Sequence, residues 1–200
     1  HFLLKGALLF DLWFDVPLRP TRDIDLLGFG LAELPHVVGV FEDLCSLEVA
    51  DGMVYKTETI QADEIRKQAN YAGIRVSLLA LLGNSRISIQ VDIGYGDAVT
   101  PAPVEAVYPV LLNDLPAPKL RVYPMYTVVA EKFETLVSLG IANTRLKDYF
   151  DLWVLRQQGK FEDELLRTAI EETFLRRGKQ LPKGIPVGLS DQFFGDDQKQ

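Results

Sequence analysis

Two aspartates that flank a single residue are the first part of this chain that could perform chemistry. Asp23 and Asp25 lie on either side of Ile24, in the stretch 22–27. In a strand, residues i and i+2 point to the same face, so the two carboxylates would project together. Adjacent carboxylates repel each other and attract a cation, and hard oxygen ligands of this kind suit Mg²⁺. A solvated acid pair at a strand edge is the alternative for this motif alone.

A third aspartate lies on the most regular strand pattern of the sequence. Over residues 86–93, isoleucine and valine alternate with polar residues, which places Ser88, Gln90 and Asp92 on one face. The glycine-rich stretch 94–97 follows directly and is typical of the rim of a site. Asp92 is therefore a candidate third carboxylate, and the alternative is an ordinary acid at a strand end.

The segment before the aspartate pair is suited to hold phosphate. Gly6 interrupts an apolar run, and the residues after it favour a helix that begins at the glycine. A glycine lets the backbone approach a ligand closely, and the free N–H groups of a helix N-terminus bind phosphate. The stretch 17–21, with two prolines, then ends the helix and leads into the Asp23 strand. Candidate nucleotide-binding residues here are Lys5, Gly6, Ala7 and Arg22.

The elements that must position these residues are a set of strands followed by helices. A helix is predicted over 34–47 and strands over 47–49, 53–60, 75–82 and 86–93, the last two as a hairpin closed through 83–85. The stretch 101–124 holds six of the eleven prolines and predicts a connector. We therefore expect two domains, residues 1–110 and 111–200.

Three helices are predicted after the connector, over 126–139, over 143–159 and over 161–177, with an irregular tail after residue 181. Lys132 lies on the flank of the first helix. Asp148 and Asp151 share one face of the second helix at i, i+3. We expect apolar residues to cover its opposite side, namely Leu146, Tyr149, Phe150 and Trp153.

Composition limits the class of protein. The chain has 200 residues, 48% of them hydrophobic and 24% charged, which is ordinary for a globular protein. No apolar run approaches a membrane span, and a single cysteine, Cys45, is compatible with a reducing cytoplasm. The net charge of −7 argues against an unaided nucleic-acid binder, because Lys and Arg supply most non-specific affinity for phosphates.

Taken together, the motifs resemble the AbiEii-type toxins, which are the nucleotidyltransferase halves of type IV toxin–antitoxin pairs in the DNA polymerase β superfamily. The resemblance rests on Gly6, on Asp23-Ile24-Asp25, on Glu131-Lys132 and on the sequence Arg145-x-Lys147-Asp148-x-x-Asp151. The family opens its first helix with Gly-Gly or Gly-Ser, whereas this chain has Gly6-Ala7. The resemblance also implies a helical segment before the first motif, and because the sequence enters that motif by residue 5, we expect it to be truncated or partly disordered at this end.

The resemblance implies an α+β fold, with a polymerase β-like mixed sheet, flanking helices and a C-terminal helical subdomain. It implies that Asp23, Asp25 and Asp92 hold two Mg²⁺ ions that clamp an NTP and activate an acceptor hydroxyl. The reaction would move an NMP from the NTP to an acceptor, which in some such proteins is the 3′ end of tRNA. A cognate antitoxin protein is the further partner that the family implies.

The same resemblance gives the helical residues their roles. Lys132 would neutralise charge that develops on the phosphates, and Asp148 would orient that lysine or the nucleotide. Arg145 and Lys147 would contact phosphate or RNA. We expect the Lys132 ammonium within roughly 10 Å of the sheet carboxylates, in a cleft between the domains. We also expect Asp148 to lie nearer to Lys132 than Asp151 does.

Two other classes of function stay open at this point. A metal-dependent phosphohydrolase would use a positioned water in place of an acceptor, and the central motifs contain no histidine to support it. A catalytically silent binding module could keep the fold and capture a partner, and Ala7 in place of the second glycine or serine is compatible with that. Label transfer from NTP, phosphate release and silence would distinguish the three.

Overall fold

The computed structural model describes residues 1–14, 20–66, 72–112 and 114–196, without the side chains of residues 66 and 72. The predicted turn over 17–21 therefore lies mostly outside the described residues. The chain divides into two compact units. The sheet unit consists of His1–Gly96 and Val104–Val122, and the helical unit consists of Asp97–Pro103 and Tyr123–Gln200.

Among its described residues, the sheet unit contains seven strands and two helices. In chain order these are β1 (Phe2–Lys5), α1 (Leu8–Trp13), β2 (Asp23–Gly28), α2 (Leu34–Cys45), β3 (Met53–Arg66), β4 (Ala72–Leu82), β5 (Ser85–Tyr95), β6 (Val104–Val107) and β7 (Lys119–Val122). The strand order in the sheet is β3-β4-β5-β2-β1-β7-β6. The β1–β7 and β2–β5 pairs are parallel and the other pairs are antiparallel, so the predicted mixed sheet of an α+β fold is confirmed.

The unit boundaries differ from the single boundary expected after residue 110. Strand β7 pairs with β1 and β6 pairs with β7, so the proline-rich connector returns to the sheet before the chain enters the helices. The short stretch Asp97–Pro103 instead belongs to the helical unit.

Most of the predicted elements of the sheet unit are confirmed, with two differences. The hairpin of β4 and β5 turns at Gly83 and Asn84 as expected. The predicted strand over 47–49 is wrong, since these residues form a bend and irregular backbone after α2. Strand β3 is also longer than predicted, because it pairs with β4 along most of its length and continues past a register shift between Lys56 and Gln61.

One hydrophobic core cluster of the sheet unit lies between α2 and one face of β4 and β5. Its buried members are Val37, Phe41, Ile74, Val76, Leu78, Val91 and Ile93. Burying each such side chain stabilises the fold by about 1.5–3 kcal/mol. The alternation of β5 puts its isoleucines and valines on this face, so Gln90 and Asp92 point to the other.

The helical unit contains α3 (Met125–Leu139), α4 (Leu146–Gln158), α5 (Asp163–Arg176) and the short α6 (Asp191–Phe194). The tail was expected to be irregular, but α6 places Phe193 in the core at 2% exposure. The Phe193 ring stacks on Tyr149 of α4 with 5.1 Å between centroids. Within the described ranges, no helix has the length and apolar character needed to cross a membrane.

The stretch Asp97–Pro103 is tied to the helices by polar contacts. The Thr127 hydroxyl accepts a hydrogen bond from the Thr100 N–H and donates one to the Thr100 carbonyl, both at 2.9 Å. Arg177 pairs with Asp97 at 3.4 Å and also with Glu134 of α3. Burial would lower the pKa of the Arg177 guanidinium, but the surrounding carboxylates raise it overall, so its charge is held there.

Helix α4 buries the side that carries its two aspartates. Asp148 and Asp151 are each only 1% exposed, whereas the apolar Leu146, Phe150 and Trp153 are 47%, 40% and 59% exposed. These three apolar residues therefore lie on the side of α4 away from the two aspartates, as expected, and the aspartate side is the buried one. The reason is that cations from α3 and from the start of α4 compensate the two buried carboxylates.

Candidate active site

The pairing of β2 with β5 brings together the three carboxylates predicted from the sequence. Asp23 lies opposite Gln90 and Asp25 lies opposite Asp92 in the parallel register. Paired residues of neighbouring strands point to the same face, so all four side chains share it. The Gln90 amide donates to Asp23 Oδ1 at 2.8 Å.

Gly6 makes room for one of these carboxylates. A Cβ atom at Gly6 would lie 2.3 Å from Asp25 Oδ2, well inside the contact distance of any side chain. The backbone at Gly6 also has φ of 76°, which residues with a side chain rarely adopt. Lys5, the preceding residue, lies opposite Asp25 in the β1–β2 pair. The glycine therefore allows the Asp25 carboxylate to rest against the end of β1.

An arginine that the sequence analysis missed holds the third carboxylate. Arg75 donates from Nε to Asp92 Oδ1 at 2.8 Å and from Nη2 to Asp92 Oδ2 at 3.0 Å. The hydrogen bonding to Asp92 raises the pKa of Arg75, partial burial opposes the rise, and the charges of Asp92, Asp23 and Asp25 add to it. The hairpin turn at 83–84 could have revealed this pair, because that turn fixes the register in which Arg75 faces Asp92.

The charged residues form a row across five strands of the sheet. Register places them in the order Asp63 on β3, Arg75 on β4, Asp92 on β5, Asp25 on β2 and Lys5 on β1. The two central aspartates are thus bordered by a cation on each side. Asp23 lies one strand repeat away on the same face and makes this part of the face acidic.

The donor set of this face fits Mg²⁺ by its chemistry. It consists of carboxylate oxygens, which are the ligands that Mg²⁺ prefers. Among the residues that the structure describes, no group of three or more His, Cys, Asp or Glu side chains is already arranged around a metal position. Both oxygens of Asp92 instead face Arg75. The metal-binding roles of Asp23, Asp25 and Asp92 therefore stay predictions.

A second charged cluster is built in the helical unit. The Lys132 ammonium of α3 donates to Asp148 Oδ1 and to Asp151 Oδ2 of α4, at 2.7 Å each. The expectation that Asp148 would lie nearer is wrong, because both aspartates occupy the same face of α4 one turn apart. Arg145 also donates from Nε to Asp148 Oδ2 at 2.6 Å.

The cluster is electrically balanced and largely buried. The side chains of Lys132, Asp148 and Asp151 are 14%, 2% and 1% exposed, whereas that of Arg145 is 51% exposed. Burial by itself would raise the pKa of Asp148, but Lys132 and then Arg145 hold it below its usual value. Within the described part of the chain, the two bonds use two of the three N–H donors of Lys132. The third can serve a substrate oxygen.

The remaining candidates are surface residues or backbone positions. Arg22 and Lys147 are exposed, and Ala7 is the residue at the N-terminal end of α1, without a side-chain cap. Asn143 Oδ1 accepts from the Arg145 N–H at 2.9 Å and so turns the chain into α4, near the expected start of that helix. The nucleotide-binding roles of these residues stay predictions, as does the expected distance between Lys132 and the sheet carboxylates.

Comparison with known proteins gives a match over the whole chain. The family model for the nucleotidyl transferase AbiEii toxin of the type IV toxin–antitoxin system matches residues 1–200. The crystal structure of JHP933 from Helicobacter pylori is 15% identical, with a TM-score of 0.47, over 87% of this chain and 70% of that one. A second H. pylori structure, of a protein to which nucleotidyltransferase activity is ascribed, is 14% identical with a TM-score of 0.47, over 88% and 72%. No curated protein matches.

Proposed function

Because this chain belongs to the family of AbiEii nucleotidyl transferase toxins and is a nucleotidyltransferase, we propose that it is Mg²⁺-dependent and transfers an NMP from an NTP to the 3′ end of an RNA. The observation that carries the proposal is the placement of Asp23, Asp25 and Asp92 on one face of the paired strands β2 and β5. The family description implies an antitoxin as a further partner, and transfer to cellular RNA, including tRNA, would be the toxic activity.

The reaction exchanges a phosphoanhydride bond of the NTP for a phosphodiester bond to the acceptor. The 3′ hydroxyl of the acceptor releases its proton to solvent and forms a bond to the α-phosphorus. The bond from that phosphorus to the bridging oxygen breaks, and pyrophosphate leaves. Bound Mg²⁺ would supply charge neutralisation on the triphosphate and make the hydroxyl a better nucleophile. Asp23, Asp25 and Asp92 are the residues that would hold it, and Gly6 leaves Asp25 the space to do so.

The helical residues act on the triphosphate in this proposal. The Lys132 ammonium, fixed by Asp148 and Asp151, directs its remaining N–H at a phosphate oxygen that gains charge as pyrophosphate leaves. Two buried carboxylates hold the lysine rotamer, which preorganises the donor before the substrate arrives. Asp151 is therefore a positioning residue together with Asp148.

The exposed cations are assigned to the anionic substrates. Arg22 directly precedes the aspartate pair, and half of the Arg145 side chain is exposed although its Nε is bound to Asp148. Lys147 is exposed on α4. These positive side chains would contact phosphates of the NTP or RNA, which a chain of net charge −7 needs at its site.

The test is incubation of the protein with each α-labelled NTP, Mg²⁺ and total RNA that includes tRNA. Label that appears on RNA 3′ ends supports the proposal, and loss of that label in Asp25→Asn assigns it to the site. Asp43→Asn is the matched control, because Asp43 is exposed on α2 and away from the carboxylate face. Release of inorganic phosphate without labelled RNA would indicate a phosphohydrolase, and no reaction with any NTP would indicate a binding module.

A further inference from the structure

The carboxylate that the proposed metal site needs is held by a guanidinium. Asp92 is 7% exposed in its side chain, and both of its oxygens accept hydrogen bonds from Arg75. A planar guanidinium that binds both oxygens of one carboxylate is among the strongest charge-assisted pairs in proteins. An arginine is also always protonated, so it cannot leave this position by losing its charge.

A divalent cation at Asp92 must therefore compete with Arg75. Any metal that binds Asp92 takes at least one oxygen that now accepts from the guanidinium, and the two positive charges then repel each other. Arg75 also lies within the electrostatic influence of Asp23 and Asp25, whose charges stabilise its protonated form. The Arg75–Asp92 pair thus already neutralises part of the charge that would attract the metal.

The exposure of Arg75 allows its guanidinium to dissociate from Asp92. Its side chain is 39% exposed, unlike the buried Asp92, so the guanidinium can move without disturbing the core. A guanidinium matches phosphate oxygens in the same forked geometry as it matches a carboxylate. A triphosphate that arrives with the metal therefore offers Arg75 a replacement partner of higher charge.

We propose that Arg75 is the counter-cation of Asp92 until a nucleoside triphosphate arrives. A divalent cation then replaces Arg75 at the Asp92 carboxylate, and Arg75 pairs with the triphosphate. This inference rests on the proposed function, because it presumes that Asp92 is a metal ligand. No covalent bond changes in this step, since one ion pair is exchanged for two others. The consequence is that metal and nucleotide bind cooperatively, and that metal alone binds weakly.

The experiment measures Mn²⁺ binding to the full chain by electron paramagnetic resonance, with Mn²⁺ as the spectroscopic substitute for Mg²⁺. Titrations are done without nucleotide and with an NTP analogue whose α,β-bridge cannot be cleaved. Arg75→Gln is compared with the wild type. Arg86→Gln is the matched control, because Arg86 is exposed near the turn of the same β4–β5 hairpin and faces Leu81. Asp92→Asn reports whether the signal depends on this carboxylate.

We expect Arg75→Gln to bind Mn²⁺ without nucleotide at least about threefold more tightly than the wild type, the change expected for loss of one partly exposed charge pair. The nucleotide analogue should tighten Mn²⁺ binding in the wild type and less in Arg75→Gln. Arg86→Gln should behave as the wild type in both titrations. Arg75→Lys keeps a charge without the fork and should lie between, which also covers the case in which Arg75→Gln is poorly folded.

Two results would overturn the inference in different ways. Equal or weaker Mn²⁺ binding in Arg75→Gln and Arg75→Lys, with a wild type that binds the ion through Asp92, would mean that Arg75 does not compete for the carboxylate. The proposed function would then still stand. Absence of Mn²⁺ binding in every variant, with and without nucleotide, would remove the metal site and the proposed mechanism along with the role of Arg75.

Discussion

The carboxylates of the sheet unit and those of the helical unit differ in how their charge is compensated. Asp148 and Asp151 are buried and matched by Lys132 and Arg145, so that cluster carries no excess charge. On the sheet face, Asp23 is exposed, Asp25 is half-buried, and Arg75 pairs with Asp92. A balanced buried cluster stabilises one geometry, whereas an acidic and accessible face can accept another cation. The first should respond to mutation mainly through stability and the second mainly through activity.

Removal of the Lys132 ammonium should have the largest effect. Lys132→Met leaves Asp151 buried without the ammonium that pairs with it here and weakens the compensation of Asp148. Breaking a buried pair in this way costs about 3–5 kcal/mol of the free energy of unfolding. Urea unfolding followed by circular dichroism measures the loss. Turnover should fall more than NTP binding does, and Lys132→Arg should rescue it poorly, because a planar fork does not replace a compact ammonium.

A neutral version of the cluster separates stability from activity. Lys132→Met combined with Asp148→Asn and Asp151→Asn removes the buried charges together, so most of the lost stability should return. Nucleotide transfer should stay lost in this triple variant. Unchanged unfolding of the single variant Lys132→Met would contradict the view that the cluster is a structural unit.

Loss of a sheet carboxylate should show the opposite behaviour. Asp25→Ala should lower transfer about a hundredfold or more, because metal stabilisation of the reacting phosphate is worth several kcal/mol. The melting temperature should stay unchanged or rise slightly, since one of several neighbouring negative charges is gone. Mg²⁺ should raise the melting temperature of the wild type and hardly affect that of Asp25→Ala. An unchanged rate at saturating Mg²⁺ would remove Asp25 from the site.

A smaller effect on stability and on divalent-ion binding is expected from substitution of Gly6, which lies against the Asp25 carboxylate. In Gly6→Ala, the new Cβ would lie 2.3 Å from Asp25 Oδ2, so the carboxylate must move. Overpacking of this kind costs about 1–3 kcal/mol, and divalent-ion binding should weaken with it. Gly83→Ala is the matched control, because Gly83 also has a positive φ, 56°, but its Cβ would have open space. Equal Mn²⁺ binding in the two variants would show that the clash at Asp25 is unimportant.

The sequence was most informative where a local pattern decides the structure. The alternation of β5 assigns Asp92 to the polar face, and the i, i+2 spacing puts Asp23 and Asp25 together. The parallel register between β2 and β5 joins segments far apart in the chain, and local patterns carry no information about it. For α4, the sequence predicted that the aspartates and the apolar residues lie on opposite sides but not which side is buried, because that depends on the cations of Lys132 and Arg145. The turn at 83–84 fixes the register of β4 and β5 and so could have identified Asp92 as the partner of Arg75.

The smallest effect is expected from pH, and it concerns only the helical cluster. Burial by itself would raise the pKa of Asp148, but the combined attraction of Lys132 and Arg145 outweighs it and holds the pKa below its usual value of 3.8 in the folded protein. A carboxyl whose pKa is lowered by folding contributes stability that is fully present above its unfolded pKa and is lost as the pH falls through its folded pKa.

The difference in unfolding free energy between the wild type and Asp148→Asn should therefore be constant from pH 5 upward, which is about one unit above the unfolded pKa. The difference should shrink as the pH drops below 3.8. Urea unfolding of both proteins across this range measures the difference, with Asp43→Asn, at an exposed position of α2, as the matched surface variant. A difference that stayed constant down to the lowest pH at which the protein folds would mean that Asp148 is not the charged partner of Lys132, and the contrast between the two sets of carboxylates would lose its physical basis.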